Sequence, residues 1–226
     1  MVDAFQNSTR ELWNLDGQTL ILASGSARRK ELLQNLGLSF EVEVAAVVED
    51  HPKGLQPHEV AVYLAEKKSL AVGKGQSGRA TLVLGADTVV ILDEEVIGKP
   101  TTDTHAKKML RALSGRSHDV VTGVSVVASG EIYSGYESTK VWFSPLTEKE
   151  IMALVESNDW EDKAGGYGIQ SMASSVIPRI EGDYFNVVGL PLFRTRTLVC
   201  AAASRETPPP PFYPSELRKN LVEAFK

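Results

Sequence analysis

Two adjacent arginines, Arg28 and Arg29, stand at the predicted start of a helix in the stretch SGSARRKELL, residues 24–33. Arginine is more typical of a helix C-terminus, where the helix dipole attracts positive charge. A helix N-terminus after a turn of small residues directs backbone N–H groups at an anion, and a guanidinium binds phosphate oxygens through two parallel hydrogen bonds. The segment therefore indicates either a phosphate-binding turn or two solvated arginines.

Two acidic residues and two lysines could contribute to the same chemistry. Asp87 lies in the apolar run TLVLGADTVVIL, and Glu49 follows a predicted strand. A carboxylate that leaves a buried strand is either held structurally or acts as a metal ligand or base. Lys68 lies on the comparatively apolar face of a predicted helix, and helical periodicity does not distinguish it from Lys67 as a site residue. Lys99 lies in a Gly-Lys-Pro turn. Taken singly, each is more typical of a structural or solvated residue than of a site.

Two glycine-rich segments have different contexts. KAGGYGIQ, residues 163–170, ends in Gln170, whose amide could donate to and accept from a base edge, and the alternative is a mobile loop. GKGQSG, residues 73–78, matches G-x-G-x-x-G but follows a helix and precedes a strand, the reverse of a dinucleotide site, so we interpret it as a flexible loop. Neither a P-loop nor a G-x-S-x-G elbow occurs, which argues against the common NTPase and hydrolase classes.

The elements that must position these residues alternate between strands and helices, which predicts an α/β fold. Helices are expected after Ser26 and over residues 57–73, 103–113 and about 191–204. A further helix is expected over EIMALVES, residues 150–157, behind a Thr147–Glu150 capping box. Strands are expected over residues 18–24, 40–47, 81–92, 120–129, 131–144 and 175–180.

Three segments are predicted along the chain: an extension over residues 1–17, a main domain over 18–204 and a proline-rich tail over 205–226 that includes a possible short helix. We interpret the tail as an appendage that is either docked on the main domain or leads toward a partner domain in related chains. We expect the removal of residues 206–226 to leave the protein's activity nearly unchanged.

Composition limits the function further. The 226 residues carry a net charge of −5, which argues against a polyanionic partner such as nucleic acid. Cys200 is the only cysteine, which excludes an intramolecular disulfide and a multi-cysteine zinc site. The start lacks the apolar region of a signal peptide and no apolar run is long enough to cross a membrane, so we predict a cytoplasmic protein. The four histidines lack ligand spacing, and we expect them on the surface or in turns.

Several long motifs in one order resemble the Maf family of nucleoside triphosphate pyrophosphatases. The similarity covers about residues 18–204 and is carried by LILASGSARRKELL, LGADTVV, GKP, MLRALSGRSH, DKAGGYGIQ and GDYFNVVGLP. The resemblance implies a two-lobed, mixed-sheet α/β fold related to the inosine-triphosphate pyrophosphatases, with a nucleotide in the cleft between the lobes. It also implies hydrolysis of a nucleoside triphosphate to the monophosphate and pyrophosphate, a divalent cation (Mg²⁺ or Mn²⁺) and a homodimer.

The resemblance also assigns roles to individual residues. It gives a catalytic role to Asp87, Glu49, Lys68 and Lys99, with Lys68 selected over Lys67, and a metal-binding role to Asp87 and Glu49. Substrate binding falls to Ser24, Arg28, Arg29, Thr88 and Gln170. Whether Asp87 is mainly a base or a ligand stays open. Two positions depart from the family pattern: Ala27 stands where relatives often have proline, and Ser171 where many have glycine.

The branch of the family follows from three of these positions. Arg28, Thr88 and Gln170 resemble the branch that acts on dTTP and UTP, whereas the sibling branch that acts on 7-methyl-GTP typically has Trp, Gln and Glu there. We therefore expect a nucleotide-pool enzyme acting on dTTP, UTP and modified pyrimidine nucleotides. The alternatives are a 7-methyl-GTP pyrophosphatase and a nucleotide-binding regulator of cell division.

Overall fold

The computed structural model describes residues 2–76 and 80–225, so Ser77 and Gly78 of the GKGQSG loop lie outside the described residues. The predicted α/β class is confirmed. In the described ranges the strands are β1 (Thr19–Leu22), β2 (Glu41–Val42), β3 (Thr81–Leu92), β4 (Glu95–Ile97), β5 (Ser117–Ala128), β6 (Glu131–Trp142) and β7 (Arg179–Glu181). The α-helices are α1 (Val2–Leu12), α2 (Ala27–Asn35), α3 (Pro57–Gly73), α4 (Asp103–Leu113), α5 (Glu148–Glu156), α6 (Tyr184–Val188), α7 (Leu192–Ser204) and α8 (Ser215–Ala224). None of these helices is both long and apolar enough to cross a membrane.

The strands form one mixed sheet in the order β2-β1-β3-β5-β6-β7, and β4 pairs with β3. β1 is parallel to β2 and to β3, with Leu22 opposite Leu84, whereas β4 and β7 run antiparallel to β3 and β6. A two-residue turn joins β5 to β6, and its residues Ser129 and Gly130 have φ of 52° and 87°. Positive φ at both positions is typical of the tight hairpin turns that match strand twist.

Two predicted strands are much shorter than expected, whereas β1, β5 and β6 differ from their expected bounds by at most three residues at either end. Of residues 40–47 only β2 pairs, because β1 offers just Ile21 and Leu22 in parallel register, and both β2 residues are exposed at the sheet edge. Of residues 175–180 only Arg179 and Ile180 belong to a strand, because a 3₁₀ turn over Met172–Val176 precedes Pro178, which cannot donate to a ladder.

The chain divides into two compact units. The first contains Met1–Asp87, Gly123–Tyr136 and Leu192–Lys226, and the second contains Thr88–Thr122 and Glu137–Pro191. The first unit has an apolar core of Ile21, Ala23, Leu70, Val72, Val83, Val127, Ile132 and Leu221. In the second unit the core includes Ala106, Leu110 and Leu113 of α4 and Ile151, Leu154 and Val155 of α5. The three- and four-residue spacing on both helices places these side chains on one face of each helix.

Helix α3 lies with its backbone directly against two strands of the first unit. A Cβ built at Gly85 of β3 would come within 2.4 Å of the Ala65 carbonyl oxygen, and one at Gly123 of β5 within 2.2 Å of the Ala61 carbonyl oxygen. Ser69 Oγ also lies 2.8 Å from Ser125 Oγ in the same buried layer. Any residue larger than glycine at positions 85 and 123 would displace α3, so these glycines set its distance from the sheet.

The expectation that all four histidines lie on the surface or in turns is wrong for His118. This residue lies on β5, is 2% exposed, and its Nε2 is 2.6 Å from the Tyr167 hydroxyl. The predicted strand begins at residue 120 and leaves His118 outside, but β5 begins at Ser117, and His118 has the two-residue spacing of the buried Val120 and Thr122. Burial lowers the pKa of His118 to about 4, so the folded protein holds a neutral imidazole there at neutral pH.

We expect His118 to make stability depend on pH. The folded-state pKa of about 4 lies below the ordinary value of 6.5, so the unfolded chain binds the proton first. The contribution is fully present above pH 6.5 and is lost as pH falls toward 4; between about pH 7.5 and pH 5 it amounts to about 2 kcal/mol. Urea unfolding at the two pH values should show that His118→Gln removes this part of the pH-dependent loss of unfolding free energy. The exposed control His51→Gln should retain it. The same pH dependence in His118→Gln as in the unmodified chain would contradict the assignment.

Candidate active site

The turn between β1 and α2 holds one of the two adjacent arginines inside the protein. Ser26 caps α2, which begins at Ala27 without the proline common in relatives, and its Oγ accepts from the Arg29 backbone N–H at 3.5 Å. Ser24 Oγ accepts hydrogen bonds from the Ser26 N–H at 3.2 Å and from Arg29 Nη1 at 3.1 Å. Arg29 is only 9% exposed and Arg28 is half-buried. The solvated alternative is therefore excluded for Arg29.

The charge on Arg29 is opposed by its surroundings and supported by nearby acids. Burial lowers the pKa of Arg29, and the negative charge of Asp87 acts in the opposite direction, with a smaller contribution from Glu49. A desolvated guanidinium attracts an anion more strongly than a solvated one, because the local dielectric is low. The arrangement can therefore bind a further anionic group close to the N-terminus of α2.

Parallel pairing brings the end of β1 beside the middle of β3. Leu22 of β1 lies opposite Leu84 of β3, so Ser24 follows the end of β1 while β3 runs on through Asp87 in the same direction. Both residues are buried. The carboxyl end of a parallel strand in an α/β sheet is a common position for a ligand site, and here the chain places a hydroxyl after β1 and a carboxylate on β3 beside it.

Lys68 joins two of the predicted acids. Its Nζ donates to Glu49 Oε1 at 2.7 Å and to Asp87 Oδ1 at 2.5 Å. The side chains of Lys68 and Asp87 are 12% and 10% exposed, whereas that of Glu49 is 44% exposed. Lys67, the other candidate, instead forms an ion pair with Asp50, whose side chain is largely exposed. Of the two lysines, only Lys68 contacts the predicted acids.

Thr88 lies at the edge of a buried polar network in the second unit. Its Oγ1 is 2.9 Å from Thr122 Oγ1, which donates to the Asn186 carbonyl oxygen at 2.9 Å. The Asn186 side chain is fully buried and donates to Val120 O and to Thr139 Oγ1. Sequence reasoning missed Thr122 and Asn186. The available signal was a polar residue among apolar neighbours, which is Thr122 in its strand and Asn186 in the GDYFNVVGLP motif. The network fixes the orientation of the hydroxyl at Thr88.

The segments that carry Lys99 and Gln170 are tied together within the second unit. The Gly165 N–H donates to the Gly98 carbonyl at 3.0 Å, and a Cβ at Gly168 would come within 2.6 Å of Asp159 Oδ2. Tyr167, between these glycines, is buried, so the packing argues against the mobile-loop alternative. Both Lys99 and Gln170 are exposed.

Ser171, one of the two departures from the family pattern, follows this loop in an ordinary extended conformation with φ of −115°. Its hydroxyl donates to Asp159 Oδ2 and to the Gly168 carbonyl oxygen. Serine therefore fits at this position without backbone strain, and its hydrogen bonds hold the end of the loop.

Glu49 and Asp87 are also the residues that could hold a cation. Among the residues that the structure describes, no three His, Cys, Asp or Glu side chains are grouped as in a site made entirely by protein. The two carboxylates lie close together, since both accept from the Lys68 Nζ. Mg²⁺ is commonly bound by one or two carboxylates together with substrate phosphates and water. Glu49 and Asp87 are oxygen donors of that kind and could hold such an ion together with a phosphate ligand.

The chain is similar to known proteins over most of its length. A family model described as "Maf-like protein" matches residues 19–202, so the chain belongs to the Maf family and the resemblance seen in its motifs is confirmed. A Bacillus cereus (strain AH820) protein named dTTP/UTP pyrophosphatase is 46% identical over 175 residues, which cover 77% of this chain and 91% of the relative. A Symbiobacterium thermophilum protein of the same name is 48% identical over 178 residues, covering 79% of this chain and 91% of the relative.

Proposed function

We propose that this chain hydrolyses dTTP, UTP and modified pyrimidine nucleoside triphosphates to the monophosphate and pyrophosphate. The observation that carries the proposal is the cluster of Lys68, Glu49 and Asp87 in a chain whose relatives are named dTTP/UTP pyrophosphatase. Proteins of this class that remove unwanted nucleotides from the pool need a strong anion site and a base, and both residue types are present.

Charge neutralisation is the first task in this reaction. A triphosphate carries about four negative charges, and its cleavage depends mainly on positioning and on stabilising the charge that develops. In our proposal Arg28 and Arg29 bind phosphate oxygens beside the α2 N-terminus, and Ser24 keeps the Arg29 guanidinium oriented through its 3.1 Å hydrogen bond. Lys68 supplies further positive charge, and we assign the same task to Lys99, as the resemblance to the family implies.

Proton removal from the attacking water is assigned to Asp87. Its carboxylate accepts a hydrogen bond from the Lys68 ammonium at 2.5 Å, which holds it in position for proton transfer. As the water oxygen bonds to phosphorus, its proton moves to Asp87, the anhydride between the α and β phosphates breaks, and pyrophosphate leaves. Lys68 keeps the carboxylate oriented during this transfer.

Glu49 and Asp87 are the residues that would hold Mg²⁺ or Mn²⁺. When bound, the ion supplies charge neutralisation at the phosphate oxygens. Glu49 is suited to the solvent-facing side of such a site, where the ion would also contact the phosphate. Its side chain is 44% exposed and still lies 2.7 Å from the Lys68 Nζ. Removal of divalent ions with a chelator is therefore expected to stop turnover without unfolding the protein.

The pyrimidine preference rests on Gln170 and Thr88. A glutamine amide both donates and accepts, so it can pair with the carbonyl and N–H groups on the edge of thymine or uracil. The Thr88 hydroxyl is held by Thr122, which suits a fixed contact to the nucleotide. We assign both residues to substrate binding. We also infer that a methylated, cationic purine has no stacking partner here, because Arg28 stands where the 7-methyl-GTP branch of the family has tryptophan.

We further propose that the enzyme acts in the cytoplasm as a homodimer. A single cysteine suits a reducing compartment, and the resemblance to the family implies the dimer. Sedimentation velocity should give the mass of two copies of the 24.6 kDa chain, and a single 24.6 kDa species would contradict this part of the proposal.

Asp87→Asn should abolish most turnover, because the amide neither accepts a proton nor brings negative charge to a metal. Loss of a general base alone typically costs about 10² to 10⁴-fold. The measurement is steady-state pyrophosphate release from dTTP with Mg²⁺, and the matched control is Asp50→Asn, which changes the exposed acid paired with Lys67. A folded Asp87→Asn protein with a rate near that of the unmodified chain would show that Asp87 is assigned wrongly.

Nucleotide choice should follow the three positions that distinguish the branches. In a panel of nucleoside triphosphates with Mg²⁺ or Mn²⁺, we expect dTTP and UTP to be hydrolysed much faster than 7-methyl-GTP. The triple change Arg28→Trp, Thr88→Gln and Gln170→Glu should weaken pyrimidine turnover and move the preference toward the methylated purine. A preference of the unmodified chain for 7-methyl-GTP would refute the pyrimidine assignment, and stoichiometric binding without steady pyrophosphate release would favour a regulator.

A further inference from the structure

Helix α3 contains a fully buried carboxylate that the proposed reaction does not use. Glu66 is 0% exposed, and a buried charge of this kind is costly unless it is paired and hydrogen-bonded. Glu66 Oε2 accepts from Arg218 Nε at 3.1 Å and from the Tyr213 hydroxyl, and Oε1 accepts from Arg218 Nη2 and, at 2.6 Å, from Ser134 Oγ. Arg218 Nη2 also donates to Ser134 Oγ at 2.7 Å. Glu66 therefore has a complete set of partners.

Two of these partners come from the C-terminal segment. Tyr213 and Arg218 lie beyond residues 19–202, the part that matches the Maf family. The segment is docked on the first unit: Tyr213 is 4% exposed and packs edge-on against Tyr63 of α3, and Leu221 of α8 belongs to the apolar core. Of the two arrangements expected for the appendage, the structure shows the docked one. The expectation that removal of residues 206–226 leaves activity nearly unchanged did not take these contacts into account, and we now expect a loss of activity instead.

The charges in this network support one another. Burial of Arg218 acts against its charge, but its hydrogen bonds and ion pair with Glu66 outweigh that effect and raise the pKa of Arg218. Burial, together with the negative charge of Glu66, raises the pKa of Tyr213, so its hydroxyl remains a donor. The pair of Glu66 and Arg218 is thus a fixed connection between α3 and α8 at neutral pH.

Glu66 and Lys68 are two residues apart on one helix, which places their side chains about 200° apart around its axis. One face of α3 is thus held by the C-terminal segment, and the other presents Lys68 to Asp87 at 2.5 Å. We propose that Arg218 and Tyr213 are positioning residues: by fixing Glu66 they hold the part of α3 from which Lys68 reaches Asp87. This inference rests on the proposed function, because that function gives Lys68 its role in the reaction.

The test uses the full-length chain with the paired change Glu66→Gln and Arg218→Met. This double variant removes the connection without leaving a buried charge, and such replacements are commonly tolerated by the fold. The glutamine introduced at position 66 is neutral, and its amide oxygen can still accept from Ser134. The matched control is Lys219→Met, which changes the exposed neighbour of Arg218 on α8.

We expect kcat for dTTP to fall by about ten-fold or more in the double variant, because small displacements of reacting groups cost that much. KM should change by less than about two-fold, since most phosphate contacts are unaltered. Hydrogen exchange of the α3 amides over residues 64–72 should accelerate in the double variant and not in Lys219→Met. A purely structural role for the pair predicts instead a kcat equal to that of the control.

A folded double variant with unchanged kcat would overturn the proposal, even if its α3 exchange were faster. If the double variant does not fold, Tyr213→Phe provides a second test, because it removes only a hydroxyl. This variant should show a smaller fall in kcat together with faster α3 exchange. A Tyr213→Phe protein in which neither kcat nor α3 exchange changes would also overturn the proposal. If the proposed function itself is wrong, the unmodified chain will release no pyrophosphate from dTTP, and this result separates that failure from failure of the positioning proposal. The exchange measurement would still decide whether the C-terminal segment holds α3.

Discussion

The backbone contact between helix α3 and the sheet is the constraint on which the candidate site depends. The helix approaches β3 and β5 so closely that only glycine fits at Gly85 and Gly123. Gly85 precedes Asp87 by two residues on the same strand, and the carbonyl of Ala65 that faces Gly85 belongs to the helical turn that carries Lys68. The close approach therefore fixes the distance between a lysine and a carboxylate that both lie almost out of contact with water.

Desolvation strengthens the interaction between the Lys68 ammonium and the Asp87 carboxylate at this distance. A charge pair near the protein interior interacts several times more strongly than the same pair in water, and it also costs more if one partner is lost. Lys68 donates to two carboxylates at once, and the negative charge of one of them, Asp87, also supports the charge on Arg29. An approaching triphosphate would enter a region where positive groups are already desolvated and oriented, so little reorganisation is needed when its own charge develops.

The long elements were well predicted from the sequence because they are strongly periodic. The bounds of α3, β3 and α4 agree with the expected 57–73, 81–92 and 103–113, and the Thr147–Glu150 capping box is present. Shorter elements failed where pairing decided the outcome: β2 has only two residues in register with β1. Short helix α6 was not anticipated, because five residues give no periodic signal.

Within the site, helical periodicity could not separate Lys67 from Lys68, and it was the resemblance to the Maf family that favoured Lys68. The three-dimensional contacts supply the physical difference, since Lys67 reaches only the exposed Asp50. Glu66 could not be identified in advance, because a glutamate in a helix is ordinarily solvated and its partner Arg218 is 152 residues away. Long-range ion pairs of this kind leave no local pattern in a sequence.

The most direct measurement of the central claim compares Gly85→Ala with Gly75→Ala. A methyl group at position 85 would meet the Ala65 carbonyl oxygen at 2.4 Å, whereas at position 75 the nearest atom is 3.7 Å away. Displacement of α3 predicts that Gly85→Ala lowers the free energy of unfolding by about 1–3 kcal/mol and lowers kcat for dTTP by about ten-fold or more in the protein that remains folded. Gly75→Ala should leave both unchanged. A folded Gly85→Ala protein with the kcat of the unmodified chain would contradict the claim that the distance between α3 and the sheet sets the geometry of the site.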